Sequence, residues 1–209
     1  MTDRQFFVLL GPDGAGKSSV LAEVAKRQPA WRTLSTDKEL TAERYALITQ
    51  LRRNVVEDVL PELGGAYSAD FLASLMQTAV VHLRDQMAAQ DPGTPLLMDS
   101  YYYKILAKCR LAGVRAGPLF SWWRSFPQPR GVLYLDVAPE SAWRRSANGA
   151  RLNPLEYFGK RPEWGGFESY QKQLRKLMLE EVRQLPVEML DEQDSVAGTA
   201  QQVLEVLSR

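Results

Sequence analysis

Residues 11–19 read Gly-Pro-Asp-Gly-Ala-Gly-Lys-Ser-Ser and directly follow the apolar run Phe6-Phe7-Val8-Leu9-Leu10. Gly11, Gly16, Lys17 and Ser18 meet the spacing G-x-x-x-x-G-K-[ST], in which a loop without large side chains turns its backbone N–H groups inward around a phosphate. A helix starting at Lys17 would add the positive end of its dipole to the same anion. Lys17 then reaches the β- and γ-phosphates as a point charge, and the Ser18 hydroxyl ligates the magnesium ion that bridges them. Gly11, Asp13, Gly14, Ala15, Gly16, Lys17, Ser18 and Ser19 together form the candidate ATP-binding loop.

Asp99 closes the apolar stretch 95–98. Ligands of open parallel sheets gather at the carboxyl ends of strands, so a carboxylate there can hold a metal shell or take a proton from an acceptor hydroxyl. A strand-end aspartate can equally cap the next helix, and the sequence leaves both roles open. A third feature is the tract containing Arg144, Arg145, Arg151, Lys160 and Arg161 against the single acid Glu156. Phosphoryl transfer spreads negative charge over the moving group and needs cations that close over it and exclude water. Residues 148–166 are therefore expected to form a lid, with Arg145 and Arg151 as its catalytic cations.

These residues need a scaffold, and the periodicity supplies one. Strand-length apolar runs at 5–10, 32–36, 95–98, 131–137 and 187–190 alternate with helical stretches at 17–27, 41–60, 69–89, 167–184 and 196–207, and Pro139 opens another helix. This alternation predicts a parallel sheet covered by helices on both faces. The 209 residues, 45% of them hydrophobic, suit one domain with a mobile insertion. Lys and Arg number 26 against 25 Asp and Glu, which gives no electrostatic case for a nucleic-acid or membrane partner. A lone cysteine, Cys109, excludes an internal disulfide and a cysteine zinc site, and a lone histidine, His82, argues against a Ser-His-Asp enzyme. With no signal-type leader and no membrane-length apolar run, a cytoplasmic protein is expected. The chain contains no Asn-Lys-x-Asp to read guanine and no Leu-Ser-Gly-Gly of a transporter ATPase, which leaves a small-molecule kinase.

In these features the chain resembles thymidylate kinase and its P-loop relatives over most of its length. GPDGAGKSS resembles that family's phosphate loop, LLMDSYYY its strand ending in Asp-Arg-Tyr, and GVLYLDVAPESAWRR its Leu-Tyr-Leu-Asp-Val-x-Pro-Glu segment. The resemblance implies a P-loop NTPase three-layer sandwich with a five-stranded parallel sheet, ATP with magnesium as donor, a closing lid and a homodimer. It also implies that Asp13 faces the acceptor, that Asp99 lies between acceptor and metal, and that the lid provides the catalytic arginine. The expected reaction moves the ATP γ-phosphate to a nucleoside monophosphate or nucleotide-like small molecule. The alternatives are a plain hydroxyl on a nucleoside or specialised metabolite, or an inactive nucleotide-binding regulator.

The acceptor site departs from the family. Its two phosphate-holding arginines fall at Ser100 and Met76 here, and its Ser and Gln near thymine at Lys104 and Cys109. Met76, Ser100, Tyr101 and Lys104 are thus the candidate acceptor residues, with Lys108 and Arg110 able to restore charge from another angle. Thymidylate is expected to be a poor acceptor. Tyr101, Tyr102 and Tyr103 cannot all point inward from one helix, so at least one is expected to face the cleft or solvent. Trp122, Trp123 and Phe126 are expected to pack in a core or interface.

Overall fold

Strand β1 (Phe6–Leu10) is apolar on both faces, and it takes the centre of the sheet, where both faces are covered. In this computed structural model, which describes residues 6–209, five strands run in the order β2-β3-β1-β4-β5, with β2 at Arg32–Leu34, β3 at Leu96–Asp99, β4 at Gly131–Asp136 and β5 at Val187–Asp191. Every pairing is parallel, with Leu9 beside Asp99 on one side and Leu133 on the other. Gln5, the expected first residue of β1, lies outside the described residues. The short, partly exposed β2 and half-exposed β5 take the edges.

Helices α1 (Lys17–Arg27) and α8 (Val196–Leu207) pack together on one face through Val20, Leu21, Val24, Ala200 and Val203. Helices α3 (Ala69–Ala88), α4 (Tyr101–Leu111) and α7 (Trp164–Glu181) cover the other. This is the expected three-layer arrangement. Strand order reverses around β1, so the carboxyl ends of β1 and β3 open a crevice, and the 11–19 loop and Asp99 leave their strands into it. No helix among the described residues is long and apolar enough to cross a membrane.

Some elements differ from the periodicity. The expected helix 41–60 is a 3₁₀ turn at Glu43–Tyr45, a regular α2 at Ala46–Asn54, a wider π turn at Val55–Val59 and a second 3₁₀ turn at Leu60–Glu62. Pro61 lacks the N–H that would close an α-turn and its ring crowds the carbonyl four residues back, so the coil loosens ahead of it. Helix α5 (Pro118–Arg124) fills the connection before β4, followed by α6 (Pro139–Arg145) after it. Helix α7 begins earlier than expected because Trp164 packs edge-on against Trp143 and beside Phe167.

Of the tyrosine run, Tyr101 borders the cleft and none of the three faces solvent. All three rings are buried, because α4 is covered by α3, by α7 and by the turn after α5. Tyr101 is a wall of the cleft yet exposes none of its surface, and it packs edge-on against Phe6. Tyr102 and Tyr103 donate to Gln128 Oε1 at 3.3 and 3.1 Å. Trp123 and Phe126 are core residues, whereas Trp122 is half-exposed beneath the Arg84 guanidinium.

Candidate active site

The loop after β1 bends through Gly14 (φ +73°) and Gly16 (φ +86°), backbone regions that glycine enters without strain. A Cβ at Gly14 would also stand 3.1 Å from Ala142 of α6, so this glycine permits the loop to lie against that helix. Gly16 caps α1 with no side chain, which leaves the first-turn N–H groups of α1 facing the crevice. Lys17 folds back over the loop and donates to the Gly11 and Pro12 carbonyls at 3.1 and 3.0 Å. Ser18 Oγ donates to Asp37 Oδ2 at 2.8 Å.

Across the crevice, Asp99 accepts from Ser35 Oγ at 2.9 Å and from Ser100 Oγ at 2.8 Å. Ser100 (φ 56°) and Tyr101 (φ 48°) are both left-handed, a costly conformation for non-glycine residues. This strained turn aims Asp99 into the crevice while burying the Tyr101 ring below it. Ser100 is the N-cap of α4 and makes no capping hydrogen bond with its side chain. Both Asp99 oxygens are held by hydroxyls, so the carboxylate is oriented toward the cleft.

A buried charge cluster joins the two sides. Lys104 Nζ lies 2.7 Å and Lys108 Nζ 3.0 Å from Asp13 Oδ1, and Lys108 lies 4.0 Å from Glu156. Gln171, buried on α7, accepts from the Asp13 N–H at 3.2 Å and donates to the Glu156 carbonyl at 3.1 Å. Burial alone would raise Asp13, but the charges of Lys104, Lys108 and Lys17 hold it well below the usual carboxylate range. Burial would lower Lys104, and the charge and hydrogen bond of Asp13 overturn that and hold it above the ordinary lysine value. Burial and the nearby Asp13 charge raise Glu156 against the pull of Lys108 and Lys104. Lys17 is pulled down to about 7, by burial first and by the Lys104 charge second, against the opposing pull of Asp99 and Asp13.

Most of these groups line one cleft of about 580 Å³ that runs from the loop to α2 and α3. It contains Asp13, Gly14, Ala15, Gly16, Lys17, Ser18, Ser19, Met76, Asp99, Ser100, Tyr101, Lys104 and Arg145, nearly all the residues singled out from the sequence. Gly11 sits behind it, where a Cβ would meet the Leu135 carbonyl at 2.9 Å. Arg145 donates to the Gly14 carbonyl at 3.4 Å and to Glu192 Oε1 at 2.7 Å. It thereby separates the cleft from a smaller hollow of about 270 Å³ bordered by Ser19, Val20, Leu190, Asp191 and Thr199. Arg151 is exposed outside both, in the turn-rich segment between α6 and α7. Arg110 faces Glu180 on the surface.

Asp37 beyond β2 and Arg52 on α2 line the cleft and escaped the sequence reading, as did Ser35 beyond β2 and Gln171 on α7, which lie outside its lining and hydrogen-bond the cleft residues Asp99 and Asp13. The signal for Ser35 and Asp37 was their position at a strand's carboxyl end. Gln171 carried none, since it meets Asp13 only through the docking of α7.

No protein-family model and no curated protein matches the chain. Solved structures do. A deoxyadenosine kinase from M. mycoides with bound dATP matches with a TM-score of 0.61 at 15% identity, covering 98% of this chain and 100% of that one. The same enzyme with dCMP and dCDP matches at 0.63 and 14%, covering 98% of each chain. A thymidylate kinase from Candida albicans, described as having broad substrate specificity, matches at 0.66 and 15%, covering 98% and 91%. This chain has the P-loop kinase fold. At these identities the likeness establishes the architecture alone. In a P-loop kinase fold the 11–19 loop stands where β1 hands over to α1, as it does here.

Proposed function

We propose that the protein is a phosphotransferase with magnesium ATP as donor and a small molecule in the deep cleft as acceptor. One observation carries this reading: Lys17 and Ser18, at the start of α1, and Asp99, at the end of β3, face the same cleft. The loop and the uncapped start of α1 would hold the triphosphate, and the hollow beyond Arg145 has room for the nucleoside end. The dATP bound by the M. mycoides kinase of the same fold supports a nucleotide here. The oxygen donors Ser18, Asp37 and Asp99 suit magnesium, a hard cation. Among the described residues no group of three or more His, Cys, Asp or Glu side chains is placed to hold a metal. When bound, the ion neutralises phosphate charge. Asp99 accepts the acceptor proton, Lys17 and Arg145 counter charge on the transferred group, and the 148–166 segment closes over it as a lid.

The test is transfer of labelled γ-phosphate from ATP to a panel of nucleosides, nucleoside monophosphates and hydroxylated metabolites, with and without magnesium. Acceptor-dependent ADP release that a chelator abolishes is expected, and failure to bind nucleotide at all would remove the proposal.

Two results are expected from the charges. At about pH 8 most Lys17 is neutral, and the triphosphate favours its ammonium form, so nucleotide binding takes up about one proton there and almost none below about pH 6. Calorimetry in buffers of different ionisation enthalpy reads this directly, and Lys17→Met abolishes it. The same lowered value makes the unliganded protein gain stability from this group as pH rises from about 7 toward 10.5, since only the unfolded chain then binds the proton.

Arg145→Ala is expected to lower kcat about 10- to 100-fold with little change in ATP affinity, because a cation facing developing charge matters most in the transition state. Single-turnover rates and nucleotide titrations separate the two effects. Equal loss of both would make Arg145 an ordinary ground-state contact. Arg151→Ala reports separately on whether the lid carries that arginine inward.

A further inference from the structure

Resting on the phosphotransferase reading, we infer that the acceptor carries an anionic group with paired oxygens, a carboxylate or a phosphate, seated on Arg52 of α2. Among the described residues the cations lining the cleft are Lys17, Arg52, Lys104, Lys108 and Arg145. Lys17 belongs to the loop proposed for the donor phosphates. Lys104 and Lys108 are matched by Asp13 and Glu156, and Arg145 by Glu192. Arg52 has neither role: it donates to the neutral Thr36 carbonyl and meets no carboxylate among the described residues. A guanidinium carries five N–H donors in a planar fork, so most of them remain for a ligand. The sequence of α2 leaves this charge unmatched. Positions 48, 49, 55 and 56, one turn away on either side, are Ile, Thr, Val and Val, whereas the neighbouring Arg53 reaches Glu57 at 3.7 Å. Ile48 and Val56 line the same cleft, so Arg52 lies on the cleft side of its helix between apolar flanks.

The tie to Thr36 also fixes where the charge stands. Strands β2 and β3 run side by side with Leu34 next to Met98, and the following pair is joined by the Ser35 hydroxyl donating to Asp99. Arg52 holds the carbonyl of the very next residue, Thr36, so its guanidinium is anchored beside the end of the sheet that carries Asp99. An acceptor whose reacting oxygen meets Asp99 can therefore keep an anionic group on Arg52. A neutral acceptor filling the cleft would shield the guanidinium from water and give it no partner in exchange. Two oxygens of a carboxylate or phosphate match the fork and form charge-assisted hydrogen bonds, and a site built this way rejects the analogue that lacks them. Met76 and Ser100 add no cation of their own, since the sulfur meets the Cys109 thiol at 3.9 Å and the hydroxyl donates to Asp99 at 2.8 Å. The charge that selects the acceptor thus comes from α2.

The experiment compares kcat/KM, with saturating magnesium ATP, within matched pairs: thymidine and deoxyadenosine against their monophosphates, and the methyl esters of glycerate and quinate against the free acids. Nucleotide binding is measured in parallel by calorimetry. At least one anionic member is expected to exceed its neutral partner about tenfold or more, and the pair in which it does so tells phosphate from carboxylate. Arg52→Gln keeps an N–H for the Thr36 carbonyl and removes the charge. It should cut the preference to within about threefold by raising the KM of the anionic acceptor, with ATP affinity within about twofold. Arg52→Lys, which keeps the charge without the fork, should fall between the two and reads the same preference if the amide loosens α2. Equal or better use of the neutral partners overturns the inference and leaves the phosphotransferase intact. A preference that survives Arg52→Gln, or nucleotide binding with no anionic acceptor used, overturns it as well. Absence of nucleotide binding instead removes the phosphotransferase reading on which it rests.

Discussion

Lys17→Ala leaves a folded protein whose phosphoryl transfer falls about 100- to 1000-fold. The ammonium is nearly buried and held over the loop by the Gly11 and Pro12 carbonyls, so it enters the catalytic state already positioned. A preorganised charge aimed at the migrating phosphoryl group, in a site that excludes water, contributes about 3–4 kcal/mol to the transition state. The fold does not depend on it, because Lys17 is itself a desolvated charge near the like charge of Lys104. Removing it relieves that cost and leaves two carbonyls for water to satisfy. Circular dichroism and thermal melting check the fold, and single-turnover transfer checks the chemistry. Near-normal turnover would show that the loop serves something other than phosphate transfer.

Asp99→Asn is the companion result, with kcat expected to fall about 100- to 10,000-fold while ATP affinity stays within a few fold. The amide keeps the carboxylate's shape, and the Ser35 and Ser100 hydroxyls can donate to its oxygen or accept from its nitrogen, so the hydrogen-bond frame survives. What is lost is the negative charge that receives the acceptor proton. Asparagine caps helices as well as aspartate does, so full retention of activity would reduce Asp99 to a local structural residue. The geometry favours the chemical role, since both carboxylate oxygens are held by side-chain hydroxyls and Ser100, not Asp99, stands at the start of α4. Stopped-flow ADP release and nucleotide calorimetry on the same variant separate rate from binding.

The glycine-rich turn from β1 into α1, the parallel sheet and the position of Asp99 were legible in the sequence, because each follows from short-range chemistry. Glycine at 14 and 16 admits left-handed turns, Lys17 and Ser18 follow at fixed spacing, and buried apolar strands bounded by turn residues can form only a covered sheet. Ser100 and Met76 cannot act as cations whatever their surroundings, and that chemistry is a property of the sequence alone. Tertiary structure alone decided the partners of the remaining charges. Asp13 meets Gln171 across 158 residues and Lys108 across 95, contacts that exist only because α7 and α4 dock beside the loop. Whether the three tyrosines faced solvent depended on how many helices covered α4, and whether Lys104 and Lys108 were free to hold an anion depended on two acids brought to them by other segments. Side-chain identity and spacing set what each group can do, and burial with a paired charge sets whether it is available to do it.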